Sequence, residues 1–144
     1  GAYFDMNIFT VSFFGHRMID RPFLIEQRLE SLIRRLINTK EYVDFIVGRS
    51  GDFDQYASSA VLRVRKAVGD HNSSLTLVLP YPTAEYLNNQ ESFEDYYSYV
   101  EVSDAASAAH HKAAFQIRNR EMVDRSDLIV CCIERESGGA WQTV

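Results

Sequence analysis

Short apolar runs and amphipathic stretches alternate along this chain. Four runs are rich in β-branched and aromatic residues, a pattern typical of buried strands. We predict strands at Ile8–Phe14, Val43–Val47, Leu75–Leu79 and Asp127–Ile133. Between these runs, apolar residues recur at every third or fourth position, which predicts helices with one buried face. The predicted helices span Arg21–Lys40, Phe53–Val68 and Ala105–Arg125.

The alternation of strands and helices predicts the fold class. A strand, a helix and a following strand form a βαβ unit, whose two strands run parallel in one sheet. We therefore predict an α/β fold with a doubly wound, mainly parallel sheet. The stretch Thr83–Ser103 has no clean period and is rich in Tyr, Asn, Glu and Ser, which predicts an insertion with a short helix over one end of the sheet. Near the end of the chain, we expect Gly138 and Gly139 to form a turn into a helix that begins at Ala140.

Composition and charge narrow the function classes. The chain has 144 residues, so we predict a single domain over residues 1–144. It carries 15 Lys and Arg against 20 Asp and Glu, and the net charge of −5 disfavours a broad nucleic-acid-binding surface. No apolar run approaches the roughly 20 residues of a membrane-spanning helix, and Cys131 and Cys132 are neighbours that would point to opposite faces of a strand. We therefore expect a cytoplasmic protein with two reduced thiols and no membrane contact.

The ends of the predicted strands carry the candidate chemistry, because ligands of doubly wound sheets bind outside the carboxyl ends of the strands. Three of these ends are followed by Gly15-His16-Arg17, by Gly48-Arg49-Ser50-Gly51-Asp52-Phe53-Asp54 and by Ser137-Gly138-Gly139. A glycine lets the backbone turn sharply into a helix, and the N–H groups at a helix start attract anions. A phosphate site is one interpretation, and plain turns are the other. Neither G-x-x-x-x-G-K-[ST] nor G-x-G-x-x-G occurs, so nothing supports P-loop NTP hydrolysis or ordinary dinucleotide oxidoreduction.

A segment rich in arginine precedes the last predicted strand and reads Arg118-Asn119-Arg120-Glu121-Met122-Val123-Asp124-Arg125. It is either a solvated charged helix face, or it directs Arg118 and Asn119 to the strand-end crevice, where a guanidinium can bind phosphate through two parallel hydrogen bonds. The neighbouring His110 and His111 would point about 100° apart on a helix. No Cys or carboxylate set completes a tetrahedral site with them, so we predict neither a metal nor another cofactor.

Taken in order, these segments resemble a known family. The chain has G-H-R after the first strand, G-x-x-G-x-x-D after the second, R-N-R-E-M-V-D-R-S-D before the fourth and S-G-G-A-x-x-T after it. This order is similar to that of the YpsA-like family of the SLOG superfamily, which includes the Lonely Guy (LOG) phosphoribohydrolases and the DNA-processing protein DprA. The most specific part is R-N-x-x-M-V-x-x-S-D. The resemblance covers the chain apart from the predicted insertion.

The resemblance implies a Rossmann-like three-layer sandwich that binds a nucleotide or a nucleotide-derived phosphate ligand at the strand ends. It places residues from four segments around that ligand. Gly15, His16 and Arg17 would border it; Gly48, Gly51 and Asp54 would form the second loop; Arg118 and Asn119 would face it; Gly138, Gly139 and Thr143 would cradle its phosphate.

The departures from the LOG pattern favour binding over catalysis. LOG enzymes carry P-G-G-x-G-T-x-E, whose glutamate assists cleavage of an N-glycosidic bond, and Val144 stands at that position here. We therefore expect a sensor or regulatory module rather than an enzyme. The first alternative is a LOG-like nucleoside-monophosphate N-glycosidase that uses Glu136 or Asp54 as its acid. The second is DprA-like binding of single-stranded DNA, against which the net charge argues.

The resemblance also implies a homodimer. LOG-like proteins pair through helices beside the ligand site, which places the predicted helix Ala105–Arg125 at a two-fold contact. The chain stops where such a domain would continue into a helix and a strand, which would leave an apolar strip for a partner to cover.

Overall fold

The computed structural model describes residues 6–15, 22–135 and 138–143. In this part of the chain six strands form one sheet, in the order β4-β3-β2-β1-β5-β6. The strands are β1 (Ile8–Gly15), β2 (Tyr42–Val47), β3 (Ser73–Leu79), β4 (Tyr99–Val102), β5 (Leu128–Arg135) and β6 (Gly138–Thr143). The helices are α1 (Pro22–Thr39), α2 (Asp52–Val68), α3 (Ala84–Asn88), α4 (Gln90–Tyr96), α5 (Asp104–Ala108) and α6 (His111–Arg125).

The predicted fold class is confirmed. Strands β1 to β5 are all parallel to one another, and helices cover both faces of the sheet, as in a Rossmann-like three-layer sandwich. Alternate strand residues point to opposite faces. Val11, Phe13 and Phe45 belong to the large core under α1 and α2, whereas Ile46 and Val78 pack against Met122 of α6 on the other face.

The segment predicted as an insertion contributes to the sheet itself. It contains α3 and α4 and then β4, which pairs with β3 in parallel, with Leu77 opposite Val100. The strand has only four residues, and two of them, Tyr99 and Glu101, are exposed. So short a strand gives too little alternation for a period to be recognised.

Two further predictions about elements differ from the structure. The predicted helix Ala105–Arg125 consists of α5 and α6, which are separated at Ala109 and His110. The predicted helix start at Ala140 is wrong, because β6 runs back along β5 as an antiparallel strand with Ala140 opposite Ile133.

A polar network ties the end of α6 to the sheet and so fixes the helix that carries Arg118. Asp44 Oδ1 accepts hydrogen bonds from Ser74 Oγ at 2.9 Å and Thr76 Oγ1 at 2.8 Å. Arg125, the last residue of α6, donates to Glu101 at 2.7 Å and lies 4.0 Å from Asp44 Oδ2. The network links β2, β3 and β4 to α6.

This network predicts a pH-dependent stability. Burial raises the pKa of Asp44 above its ordinary 3.8, against the opposing hydrogen bonds from Thr76 and Ser74. Stability from a carboxyl whose folded pKa is raised is fully present below the unfolded pKa and is lost as the pH rises through the folded pKa. Asp44→Asn keeps an oxygen that accepts from both hydroxyls and removes the titration.

We therefore expect the stability of Asp44→Asn relative to the wild type to increase as the pH rises from the ordinary pKa of 3.8 through the raised pKa of folded Asp44. Urea unfolding at several pH values measures it. A difference between the two proteins that stays constant with pH would contradict the prediction.

Candidate functional site

A pocket of about 550 Å³ lies at the carboxyl ends of β1, β2 and β3. Its wall combines charged side chains, loop backbone and apolar side chains. The described residues that line it are Gly15, Arg49, Ser50, Gly51, Asp54, Leu79, Pro80, Thr83, Glu85, Phe115 and Arg118. This is the edge at which doubly wound sheets bind ligands, and its volume is that of a small-molecule site.

Arg118 is the most buried of the charged side chains that are described in this pocket. It is only 4% exposed, and α6 brings it across the end of β3, where Nη1 donates to the Val78 carbonyl at 3.0 Å. Nε donates to Asn119 Oδ1 at 2.9 Å and Nη2 to Ser50 Oγ at 3.4 Å. These bonds use three of the five N–H donors of the guanidinium. Among the described residues Arg118 has no carboxylate within ion-pair distance.

Gly48 explains why the arginine can lie so deep. A Cβ atom at this position would stand 2.8 Å from Arg118 Nη1 and 3.1 Å from Cζ. The glycine therefore leaves space for the guanidinium, and its φ is not in the left-handed region. Burial lowers the pKa of Arg118, while the negative charge of Asp54 acts in the opposite direction.

Asp54 lies in the first turn of α2 and contacts the loop that joins β2 to α2. Its Oδ2 accepts from the Ser50 amide at 2.7 Å, and its carboxylate also interacts with the Gly51 amide. Burial raises the pKa of Asp54, and these hydrogen bonds and Arg118 oppose the shift. The Asp54 carboxylate therefore accepts hydrogen bonds from two loop amides that the glycine pattern had predicted as donors to a ligand. The positive charge of the pocket comes instead from arginine side chains.

Arg49 supplies the second positive charge. Its Nε donates to Glu85 Oε1 at 2.8 Å, and its Nη1 donates to the Tyr97 hydroxyl at 2.9 Å. Its Cζ lies 4.6 Å from the centroid of the Phe93 ring, a cation–π contact. Phe93 and Tyr97 are buried in the core beside α4, so this segment holds Arg49 at the rim of the pocket.

One side of the pocket is apolar and carries an aromatic ring. Phe115 lies one helical turn before Arg118 and keeps 36% of its surface exposed, with its ring centroid 5.5 Å from Arg118 Cζ. Leu79 and Pro80 complete this side of the pocket. Charged groups and an aromatic surface therefore face the same space.

The structure brings together part of the predicted site. Gly15, Gly51, Asp54 and Arg118 line the pocket, Gly48 makes room for Arg118, and Asn119 orients its Nε. His16 and Arg17 lie outside the described residues. The places of Gly138, Gly139 and Thr143 are in β6, where Gly138 is opposite Arg135 and Thr143 is opposite Val130. The predicted reason for a phosphate cradle there, a helix start, is replaced by an antiparallel strand.

Glu85 and Phe115 are pocket residues that the sequence did not single out. Glu85 belongs to the segment without a period, and Phe115 looks like one more apolar residue of a helix. Arg49 lies inside the glycine-containing segment that follows β2. Its positive charge next to the end of a strand was the one sequence feature that could have indicated a binding residue.

Two absences hold for the part of the chain that the structure describes. No three His, Cys, Asp or Glu side chains converge as metal ligands. No described helix has the length and apolar character needed to span a membrane.

Among known proteins, no protein-family model, no curated protein and no solved structure matches this chain.

Proposed function

We propose that this protein binds the phosphate group of a nucleotide or nucleotide-derived ligand in the pocket at the ends of β1, β2 and β3. The observation that carries the proposal is the burial of Arg118 without an ion-pair partner among the described residues. The resemblance to the SLOG superfamily supports the same ligand class.

The energetics of a buried charge favour an anion here. Transfer of a cation out of water is unfavourable unless charges or hydrogen bonds replace its hydration. The described residues accept three hydrogen bonds from Arg118, and two of its N–H donors find no acceptor among them. A phosphate oxygen that accepts from these donors would form short, charge-assisted hydrogen bonds.

The rest of the pocket suits a ligand larger than free phosphate. Phe115 offers an exposed ring next to Arg118, and Leu79 and Pro80 extend this apolar side. A planar base could pack on this surface while its phosphate contacts the guanidinium. Following the resemblance, we assign the protein to sensing or regulation, and its free Cys131 and Cys132 support a cytoplasmic location.

A thermal-shift screen with nucleotides, cyclic nucleotides and ADP-ribose derivatives tests the proposal. A ligand at about 100 times its Kd stabilises the folded state by about 2.7 kcal/mol, which gives a clear rise in Tm. We expect phosphorylated compounds to raise Tm and the matching nucleosides to have little effect. Equal shifts from a nucleotide and its nucleoside, or none from any phosphorylated compound, would contradict it.

Asp54 makes N-glycosidic hydrolysis the second candidate function. It is a pocket carboxyl whose pKa is raised by burial, as suits a general acid. Its bonds from the Ser50 and Gly51 amides stabilise the carboxylate form, however, and leave it poorly placed to donate a proton. We therefore expect AMP to release little free adenine, as followed by chromatography. Rapid release that Asp54→Asn abolishes would establish the enzyme instead.

A second copy of this chain is the partner that we propose, with α6 at the contact. Val123 on α6 keeps 42% of its surface exposed, which a two-fold partner could cover. In sedimentation velocity at micromolar concentration we expect a species of about twice 16.5 kDa, and Val123→Glu should shift it towards the monomer. A 16.5 kDa monomer at every concentration would contradict the dimer.

A further inference from the structure

The Arg49–Glu85 ion pair stands where two cavities meet. The pocket described above and a second cavity of about 300 Å³ are both lined by Arg49, Ser50, Gly51 and Glu85. The second cavity extends along the first turn of α2, past Asp52 and Tyr56. A ligand that reached from Arg118 towards this second space would meet the ion pair first.

The two partners of this ion pair are held very differently. Arg49 has two contacts that do not involve Glu85, namely the Phe93 ring at 4.6 Å and the Tyr97 hydroxyl at 2.9 Å. Phe93 and Tyr97 are 4% and 3% exposed, so they are fixed parts of the core. The Glu85 side chain is 56% exposed, and among the described side chains its carboxylate bonds only to Arg49. If Glu85 turned into solvent, Arg49 would stay in place.

We propose that Glu85 acts as a built-in anion that occupies Arg49, and that the natural ligand displaces it with a second anionic group. Arg118 then binds one group and Arg49 the other, so the ligand class is one with two linked anionic groups, such as a diphosphate. This inference rests on the proposed function of the pocket and adds to it a second subsite.

Charge balance supports the exchange. Among the described residues of the pocket wall, two arginines and two carboxylates sum to zero formal charge with Glu85 in place. When Glu85 leaves, the lining becomes positive where Arg49 stands. An exposed ion pair contributes little to stability, whereas a diphosphate oxygen would engage a guanidinium already held by its aromatic neighbours.

The test uses inorganic phosphate and inorganic pyrophosphate as probes, with Kd measured by calorimetry at one ionic strength. Glu85→Gln removes the competing charge. We expect this variant to bind pyrophosphate about two- to fivefold more tightly than the wild type, because an exposed ion pair competes only weakly. Its affinity for phosphate should change by less than about twofold, since one group on Arg118 needs no exchange.

Glu30→Gln is the matched control. Glu30 forms an exposed ion pair with Arg63 at 2.6 Å between α1 and α2, and it does not line the pocket. The Glu30→Gln substitution removes the same charge as Glu85→Gln, and it should leave the ratio of the phosphate and pyrophosphate affinities unchanged. In an Arg49→Gln background, Glu85→Gln should no longer tighten pyrophosphate binding.

The outcomes separate this inference from the proposed function. If Arg118→Met abolishes phosphate binding but Glu85→Gln changes both affinities equally or neither, the second subsite is overturned and the anion pocket stands. If the wild type binds neither probe, the second subsite is overturned, and the thermal-shift screen decides the proposed function separately. A preferential gain for pyrophosphate that depends on Arg49 supports the exchange.

Discussion

Replacement of Arg118 by methionine is expected to weaken binding of a phosphorylated ligand by about 1.5–3 kcal/mol, the range for a hydrogen bond to a charged group. This corresponds to an increase of Kd by roughly one to two orders of magnitude. Methionine retains much of the apolar stem of the buried side chain and removes all five donors. Calorimetry with AMP or the best compound of the thermal-shift screen measures the loss.

Two variants control for changes in charge and fold. Arg120→Met lies on the exposed side of the same helix and removes the same charge, so it should change Kd little. Arg118→Lys keeps the charge and loses the planar fork, so its Kd should lie between those of wild type and methionine variant. If Arg118→Met unfolds like the wild type and binds with unchanged affinity, Arg118 does not contact the ligand.

The second large effect concerns the packing of Gly15, which lines the pocket, against the buried ring of Phe53. A Cβ on Gly15 would lie 2.5 Å from Phe53 Cδ2 and 2.6 Å from Phe53 Cβ, and the ring is fully buried beside Phe13. Gly15→Ala should therefore destabilise the protein by about 1–3 kcal/mol through overpacking. Phe53→Ala should cost about 3–5 kcal/mol, because it leaves a cavity in the core.

The double variant makes this prediction specific. Once the Phe53 ring is gone, the alanine methyl at position 15 has space, so the combined loss should be smaller than the sum of the single losses. Denaturant unfolding of the four proteins gives the coupling free energy. Additive losses would show that Gly15 is required for a reason other than the Phe53 ring.

Local sequence predicted the parallel sheet well, because its central strands are buried. Runs such as Val43–Val47 and Leu75–Leu79 appear as β2 and β3 with only small changes at their ends. Both faces of these strands are covered, so nearly every position must be apolar or paired, and that requirement can be read from a few neighbouring residues. The edge strands β4 and β6 lack this requirement, and neither was predicted.

The candidate site, like the sheet, was predicted from the sequence only in part. The glycine loops and the rule for strand ends located the pocket, and the arginine-rich segment contained its most buried charge. Whether Arg118 faced solvent or the crevice stayed open, because both arrangements suit the same helical pattern.

The tertiary structure decided that Arg118 faces the crevice, through residues that are distant from it in sequence. The Val78 carbonyl is 40 positions from Arg118, and the absent side chain of Gly48 leaves the space that the guanidinium fills. Glu85 meets Arg49 across 36 positions, from a segment whose local pattern predicted no contact at all. The sequence by itself determined the layers of this protein and the edge of the sheet at which the pocket lies, since these follow from local period and strand direction. Only the packed fold decided which charges are buried, paired or available, because burial and pairing depend on neighbours that no local pattern encodes.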